Sequence, residues 1–404
     1  MPPEALNPHR VFIGAFGDAG HAFPAIALAI QLRARGHEVA LETWRRWQPH
    51  VEANGIRFYA APEYQVFPTR ERPLKPYEAV VCAVGETRPS LADFRPEVVV
   101  NDVLTLAPAL AAELEGVPLA TLVPHLYPPT PPGLPPYGLG AMPGRGPHGR
   151  ALWRALARPT RVGVERGRRE LNETRRRVGL PLLERPYGGI SQDLCIVGTF
   201  PQLEYPRRWP AGVHVTGPLI WQPPGGESTW PDGDGARVLI APSTAQDPGQ
   251  SLLRAALSGL AQLPVRVLAV RRPGGPALPD APNARLVDWV SYEQAMPLSD
   301  LVVCHAGHGT LATALAFGAP VVTVPAAGDM AENGARAQWA GTGLNLPGRF
   351  LSARTLRWTV ARALERPALG ARARELAGWA RTHDGAEAAA ALVERFAATR
   401  ACRS

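Results

Sequence analysis

Both halves of this 404-residue chain repeat one pattern, a short apolar run followed by a turn and a helical stretch. In the first half the clearest runs are residues 11–16, 38–43 and 95–101. In the second half they are residues 237–241, 265–270, 284–287, 301–304 and 320–325. Strands that alternate with helices over short connections form parallel sheets covered by helices. The pattern therefore predicts an α/β protein.

The chain is too long for a single hydrophobic core, so two domains are expected. Residues 205–235 are rich in proline and glycine and show no sustained periodicity, which is typical of a linker. We predict an N-terminal domain over 1–205, a linker over 206–235 and a C-terminal domain over 236–382. The last segment, 383–404, is predicted to form a helix that packs back on the first domain. Residues 62–77 and 125–147 are proline-rich and are predicted to be long irregular loops.

Composition narrows the class of protein. The net charge is +8, but almost all positive charge is arginine and Lys75 is the only lysine, a bias typical of GC-rich coding. The charge is therefore weak support for a nucleic-acid partner, and none is expected. No apolar stretch of about 18 residues and no signal segment are seen, so we predict a cytoplasmic protein without a transmembrane segment. The four cysteines, Cys82, Cys195, Cys304 and Cys402, are scattered and favour a reducing compartment.

The most informative segment is residues 301–325, in which an apolar strand runs into His305-Ala-Gly-His-Gly-Thr310 and a helix begins at once. Small residues at Ala306, Gly307 and Gly309 allow close approach of a ligand to the backbone. The Gly309 and Thr310 amides lie at a helix N-terminus, where positive partial charge favours phosphate. His305 can donate a hydrogen bond to the same anion, so the segment predicts a phosphate site.

This segment resembles the nucleotide-diphosphate-sugar signature of family 1 glycosyltransferases, whose bacterial members read His-Gly-Gly-x-Gly-Thr. Residues 325–333 resemble the Pro…Asp-Gln…Asn element of the family, and residues 288–290 lie where it has a base-stacking aromatic side chain. The resemblance implies the GT-B fold, two Rossmann-like β/α/β domains that face each other across a cleft. It implies that the C-terminal domain binds the nucleotide-sugar donor and the N-terminal domain binds the acceptor.

The resemblance also implies individual roles. Trp289 would stack on the nucleobase, and backbone groups near Val290 would read the base edge. Asp329 would contact sugar hydroxyls, and Asn333 would lie close to the phosphates. Residues of the turn after the first C-terminal strand would join His305 and Thr310 at the diphosphate. The predicted donor site therefore comprises Ser243, Thr244, Trp289, Val290, His305, Gly307, Gly309, Thr310, Asp329 and Asn333.

Two positions depart from the family pattern. Met330 stands where the family has a glutamine that contacts the sugar, and Thr313 stands where many members have a glutamate that grips the ribose hydroxyls. Because a deoxyribonucleotide lacks one of those hydroxyls, we predict a dTDP-sugar donor, with a UDP-sugar as the second candidate. No cofactor beyond this co-substrate and no metal ion are expected.

Residues 17–28 resemble the Gly-His-x-x-Pro loop of the family, in which the histidine is the general base. The resemblance implies that His21 deprotonates the acceptor. It also implies that Asp102 orients His21 and favours the charged form of its imidazole. An imidazole suits this role because its pKa lies near working pH. Asp18, on the same loop, is an alternative base. The implied reaction is a direct displacement that inverts the anomeric centre.

The two proline-rich loops carry apolar and aromatic residues that would line an acceptor pocket. A hydrophobic small molecule, such as a natural product, is the predicted acceptor. The residues named for this role are Phe67, Tyr127, Tyr137 and Met142.

Several features also have simpler interpretations. His308 fills the variable position of the signature and is expected to be structural or solvent-facing. Trp289 could be core packing. A metal site at Cys304, His305 and His308 is disfavoured because a fourth ligand is missing. Asp232 and Asp234 lie in the linker and indicate a turn. Arginines recur at helical spacing over 145–177, which favours a solvated helix face over contact with an anionic acceptor or a membrane surface.

Three other functions remain open from the sequence. A lipid-linked sugar transferase would use the arginine-rich helix and the apolar loops at a membrane face. A nucleotide-sugar epimerase would share the fold, and a non-catalytic homologue would bind the nucleotide sugar alone.

Overall fold

The computed structural model describes residues 8–63, 76–144, 146–226, 228–243 and 246–401. Two fully parallel sheets, one in each half of the chain, form its framework. Helices cover both faces of each sheet, which explains why the strands read as continuous apolar runs. The predicted α/β class is confirmed.

The N-terminal sheet has seven strands in the order β3-β2-β1-β4-β5-β6-β7. Its centre is dry, since Val98, Val99 and Val100 are fully buried. The strands are β1 (Arg10–Gly14), β2 (Glu38–Thr43), β3 (Arg57–Ala60), β4 (Val98–Asp102), β5 (Leu119–Val123), β6 (Leu194–Val197) and β7 (Val213–Val215). The helices are α1 (Ala19–Ala34), α2 (Gln48–Ala53), α3 (Pro76–Phe94), α4 (Leu106–Leu114) and α5 (Gly146–Val178).

The C-terminal sheet has six strands in the order β10-β9-β8-β11-β12-β13. The strands are β8 (Ala236–Ala241), β9 (Val265–Val270), β10 (Ala284–Val287), β11 (Leu301–Cys304), β12 (Val321–Thr323) and β13 (Gly343–Asn345). The helices are α6 (Ser251–Leu260), α7 (Tyr292–Ala295), α8 (His308–Ala316), α9 (Met330–Trp339), α10 (Ala353–Leu364), α11 (Pro367–Thr382) and α12 (Gly385–Ala401).

The last helix, α12, leaves the C-terminal domain and packs against α1 of the first. Its Ala389, Ala390 and Val393 are fully buried in the core cluster that also holds β1 residues. Glu394 on this helix accepts hydrogen bonds from Arg35, at 2.5 and 3.1 Å, which fixes its register against the end of α1.

The structure differs from the sequence expectations at three segments. β7 lies inside the stretch that the sequence predicted as linker. The strand was missed because three residues are too few to show a period of two. Residues 76 and 77 begin α3 although they fall in a predicted loop. Residues 146 and 147 fall in the other predicted loop but begin α5, the single helix of 33 residues that the arginine spacing predicts. Within the described part of the chain, no helix is long and apolar enough to cross a bilayer.

Candidate active site at the interdomain cleft

A histidine and an aspartate meet where two adjacent strands of the N-terminal sheet end. Asp102 is the last residue of β4, and His21 lies in the first turn of α1, which follows the neighbouring strand β1. Because carboxyl ends of parallel strands share one edge, residues 81 positions apart are brought together. The distance between His21 Nδ1 and Asp102 Oδ1 is 2.8 Å. The Asp102 side chain is fully buried, whereas that of His21 is 15% exposed.

The remaining contacts of Asp102 hold its carboxylate in place. The Phe16 amide donates to Oδ2 at 3.2 Å, and the Thr105 hydroxyl lies 3.5 Å from the same oxygen. The carboxylate therefore accepts a hydrogen bond from Nδ1–H of His21, and the lone pair of the imidazole is left on Nε2.

The pKa of His21 reflects opposing effects. Burial lowers the pKa, but the charge and hydrogen bond of Asp102 outweigh it, and the charges of Asp329 and Asp18 add to them. The pKa is thus raised from its usual 6.5. A base with a raised pKa and an unprotonated Nε2 can take a proton from a hydroxyl group near neutral pH.

Two further histidines approach this pair, and one of them, His125, has no predicted role in the sequence. Its ring lies 5.8 Å from that of His21, edge to face, and its Nδ1–H donates to the Leu126 carbonyl at 2.8 Å. Burial and the neighbouring charge of His21 lower the pKa of His125. His125 follows β5 by two residues. Because functional side chains gather where parallel strands end, the position of His125 just after a strand is the sequence signal that could have identified it.

The sequence left two roles open for His308, structural or solvent-facing. The residue is buried, so the structural role is the correct one. Its Nε2 lies 2.9 Å from the hydroxyl of Thr199, a residue of the N-terminal half. Burial lowers the pKa of His308 to about 3, helped by the charges of His125 and His21. A neutral histidine of the C-terminal domain thus contacts the first domain beside the His21–Asp102 pair.

The predicted phosphate cradle lies at the start of α8. The amides of His308, Gly309 and Thr310 precede the first intrahelical bond, which runs from the Leu311 amide to the Gly307 carbonyl at 3.0 Å. A Cβ added at Gly307 or Gly309 would meet no described atom within 4 Å. These amides therefore border open space and can reach a phosphate.

Ala306 adopts a left-handed conformation, with φ of 62°, in this same turn. The related signature has glycine at this position, and a residue with a Cβ is strained there by roughly 1–2 kcal/mol. The turn keeps its shape because the Ala306 carbonyl accepts a hydrogen bond from Asn333 Nδ2 at 2.9 Å.

Asn333 is fully buried and ties two parts of the donor site together. Its Nδ2 also donates to Asp329 Oδ2, at 3.0 Å. Asp329 precedes the first residue of α9 and is partly exposed. The structure thus places Asn333 behind the turn, where it orients Ala306 and Asp329.

His305, at the end of β11, has a hydrogen bond at one ring nitrogen and a carboxylate near the other. Nδ1 accepts from the Ser243 amide at 2.8 Å, and Nε2 lies 3.4 Å from Asp247 Oδ2. Burial lowers the pKa of His305, and the charge of Asp247 opposes this only in part. The imidazole is therefore neutral, with its proton on Nε2 as a hydrogen-bond donor.

Other predicted donor residues have distinct environments. Trp289 is 42% exposed, which does not fit core packing, and Val290 beside it is buried. The Thr310 hydroxyl lies 3.5 Å from that of Tyr292. At the position of the family glutamate, the Thr313 hydroxyl donates to the Gly309 carbonyl at 2.8 Å. Thr244 lies outside the described residues.

The three described residues among the four predicted to bind the acceptor have different environments. Tyr137 stacks on His125, with ring centroids 6.3 Å apart. Tyr127 is buried and its ring contacts Trp209 and lies under Arg207, so it has a packing role instead of the predicted acceptor contact. Met142 is exposed. Phe67 lies outside the described residues.

Two family models match this chain, one in each domain. Residues 11–121 match the glycosyltransferase family 28 N-terminal domain. Residues 257–394 match the erythromycin biosynthesis protein CIII-like C-terminal domain. The first match contains His21 and Asp102, and the second contains the cradle and Asn333.

Relatives of similar length align over most of the chain. The chain is 29% identical over 392 residues to 4'-demethylrebeccamycin synthase of Lentzea aerocolonigenes, covering 89% of this chain and 92% of that protein. It is 29% identical over 425 residues to O-mycaminosyltylonolide 6-deoxyallosyltransferase of Streptomyces fradiae, covering 97% and 98%.

Solved structures share the fold of the whole chain. The glycotransferase of kitacinnamycin superposes with a TM-score of 0.77 at 20% identity, over 96% of this chain and 99% of that one. A glycosyltransferase of Streptomyces sp. SF2575 complexed with thymidine diphosphate superposes with a TM-score of 0.67 at 21% identity, over 96% and 99%.

Proposed function

Because the chain belongs to the GT-B glycosyltransferases, with a family 28 N-terminal domain and an EryCIII-like C-terminal domain, we propose that it transfers a sugar from a dTDP-sugar to a hydroxyl group of a hydrophobic natural product. The observation that carries the proposal is the contact of His21 with the buried Asp102, beside the cleft where α8 begins. A base and a phosphate cradle are the two parts that displacement at an anomeric carbon needs.

In the proposed reaction, Nε2 of His21 takes the proton of the acceptor hydroxyl as its oxygen attacks the anomeric carbon. The bond from that carbon to the diphosphate breaks on the opposite face, so the configuration inverts. The negative charge that develops on the leaving dTDP is stabilised by the first amides of α8 and by Nε2–H of His305.

Contacts between the domains support the joint action of these parts. His308 of α8 lies against Thr199 of the first domain, and the charge of Asp329 reaches His21 strongly enough to affect its pKa. Asp329 is the residue proposed to bind sugar hydroxyls. The base and the proposed sugar site thus lie at one place in the cleft.

The choice of a dTDP-sugar rests on Thr313 and on the relatives. Thr313 has no carboxylate that could bind a ribose, and its hydroxyl is bonded to a carbonyl of its own helix. The Streptomyces fradiae relative is a 6-deoxyallosyltransferase by name, and one structure of similar fold holds thymidine diphosphate. A deoxyhexose carried by dTDP fits both, and a UDP-sugar is the second candidate.

A calorimetric comparison of dTDP and UDP tests the donor. We expect tighter binding of dTDP to the native chain and a shift toward UDP in Thr313→Glu, which supplies a carboxylate to the ribose. Thr313→Val is the matched control and should keep the native preference. A native chain that prefers UDP would contradict the dTDP assignment, and one that binds no nucleoside diphosphate would overturn the transferase proposal.

Product analysis with a panel of hydrophobic hydroxylated acceptors tests the transfer itself. Sugar transfer with inversion is the expected result. Turnover of the donor without any acceptor would instead indicate an epimerase, and transfer only to lipids in vesicles would indicate the lipid-linked alternative. Binding of dTDP-sugars without turnover would indicate a non-catalytic homologue.

A further inference from the structure

The interdomain linker, after its strand β7, runs beside the predicted nucleobase site. Its Gln222 and Gly226 lie against residues 289–292 of the C-terminal domain. We propose that these two linker residues are positioning residues of the donor site, which hold the indole of Trp289 in the orientation that stacks on the nucleobase. Their role rests on the proposed function, since there is no base to stack unless the chain binds dTDP.

Trp289 is a large side chain that the fold leaves open. It follows β10 by two residues, at the carboxyl edge of the C-terminal sheet, where open α/β sheets bind their ligands. The residue is 42% exposed, so packing covers only part of its indole. Side-chain freedom that is lost on binding weakens affinity, and contacts that fix a side chain beforehand reduce that loss. Trp289 therefore binds a base most tightly when its neighbours already hold the ring.

Gly226 contacts this ring closely because it has no side chain. A Cβ built on Gly226 would lie 2.6 Å from Trp289 Cδ1 and 2.8 Å from the Ser291 amide nitrogen. Both distances are below those that non-bonded atoms keep, so the backbone of Gly226 lies close against the indole edge and the turn beside it. Its φ of 104° also favours glycine, because a residue with a Cβ is strained in this region.

Gln222 holds the turn that carries Trp289. Its Oε1 accepts a hydrogen bond from the Tyr292 amide at 3.2 Å, and its Nε2 donates to the Ser291 hydroxyl at 3.4 Å. Ser291 is buried, so water competes little for its hydroxyl. The backbone from which the Trp289 side chain projects is thereby attached to the linker at a second point.

The linker is held on its other side by the N-terminal domain. Leu219 is buried in the core cluster that also holds β1 residues. The ring of Trp221 lies 5.2 Å from that of Phe23 on α1, edge to face. Because the linker is fixed by both domains, an atom added at Gly226 is expected to displace the partly exposed indole of Trp289 before it displaces the linker.

Two adjacent glycines provide a matched test. Gly225 and Gly226 have φ of 95° and 104°, but a Cβ at Gly225 would meet no described atom within 4 Å. Gly226→Ala should weaken dTDP binding by at least about fivefold in calorimetry, because the stacking ring is displaced. Gly225→Ala introduces similar backbone strain without the contact and should keep the native affinity. A dTDP affinity of Gly226→Ala no lower than that of Gly225→Ala would overturn the proposal, whereas a native chain that binds no dTDP would overturn the proposed function instead.

The kinetic constants separate positioning from a general loss of structure. A misplaced ring can still be brought onto the base at saturating donor, so Gly226→Ala should raise the KM for the dTDP-sugar and leave kcat within about twofold. In a Trp289→Ala background the same substitution should lower dTDP affinity by less than about twofold, because the ring it displaces is absent. Gln222→Ala adds no atom, remains testable if Gly226→Ala does not fold, and should also raise the donor KM. A Gly226→Ala effect of equal size without Trp289, or a native donor KM in Gln222→Ala, would contradict the proposed positioning.

Discussion

Each domain holds one histidine beside one aspartate at the carboxyl edge of its sheet, yet the two pairs have opposite properties. In the N-terminal domain, Asp102 lies 2.8 Å from His21 and the pKa of the histidine is raised. In the C-terminal domain, Asp247 lies 3.4 Å from His305 and the pKa of the histidine is lowered. The same two residue types thus give a histidine with a raised pKa, the proposed base, in one lobe and a neutral histidine, the proposed hydrogen-bond donor, in the other.

The other hydrogen bonds of each pair explain why the two histidine pKa values shift in opposite directions. Asp247 accepts from the Ser251 amide and hydroxyl and from the Leu252 amide, so its charge is already engaged at the start of α6. His305 also accepts the Ser243 amide on Nδ1, which a protonated ring could not do. His21 has no such constraint, because Asp102 accepts its Nδ1–H and favours the charged form.

The largest expected effect is a loss of turnover without a loss of donor affinity, which distinguishes the proposed base from the donor site. His21→Ala should lower acceptor-dependent kcat by about 10²–10⁴, the usual contribution of a general base. The affinity for dTDP, measured by calorimetry, should not change. His148→Ala, which removes an exposed histidine of α5, is the control. Native turnover in His21→Ala would remove His21 as the base and leave Asp18 as the candidate.

The second effect concerns the other lobe. His305→Ala removes the proposed donor to the diphosphate and should weaken dTDP binding by about 10–100-fold, the range for a hydrogen bond to a charged group. Asp247→Asn should keep or improve the affinity, because it removes a negative charge that competes for Nε2–H. Unchanged dTDP affinity in His305→Ala would exclude His305 from the phosphate site.

The smallest effect is a shift in pH dependence. A general base works when neutral, so kcat/KM should fall as the pH drops through the pKa of His21, which is raised above 6.5. Asp102→Asn removes the charge that raises this pKa. The acid limb should therefore move to lower pH, while the plateau falls by about tenfold as the orienting charge is lost.

The pH profile of Asp247→Asn provides the contrast. His305 is not the proposed base, so the acid limb of this variant should coincide with that of the native chain. If the acid limb of Asp102→Asn coincides with that of the native chain, the pairing of Asp102 with His21 does not control catalysis.

The sequence predicted the architecture well where signals are local. The β/α alternation predicted two parallel sheets, and the motif around His305 predicted a glycosyltransferase of the GT-B fold; the fold and the enzyme class are confirmed. The motifs also indicated the two strand ends at which His21 and Asp102 meet. The assignments of general base, donor sugar and acceptor stay predictions until the variants are measured.

The sequence failed where an assignment depends on a distant partner. Tyr127 is aromatic and lies in an irregular loop, which suggested an acceptor contact, but Trp209 and Arg207 enclose it. His125 carries no motif, and only the fold brings it beside His21. β7 was hidden in a linker because three residues give no readable period.

The sequence by itself determined which residue types stand at the ends of the strands, because chain periodicity and turn chemistry are local properties. Only the tertiary structure decided which of those groups carries a proton and which is buried. Protonation and burial depend on atoms that are close in space and far apart in the chain, as Glu204 and Arg336 are, so no local pattern could specify them.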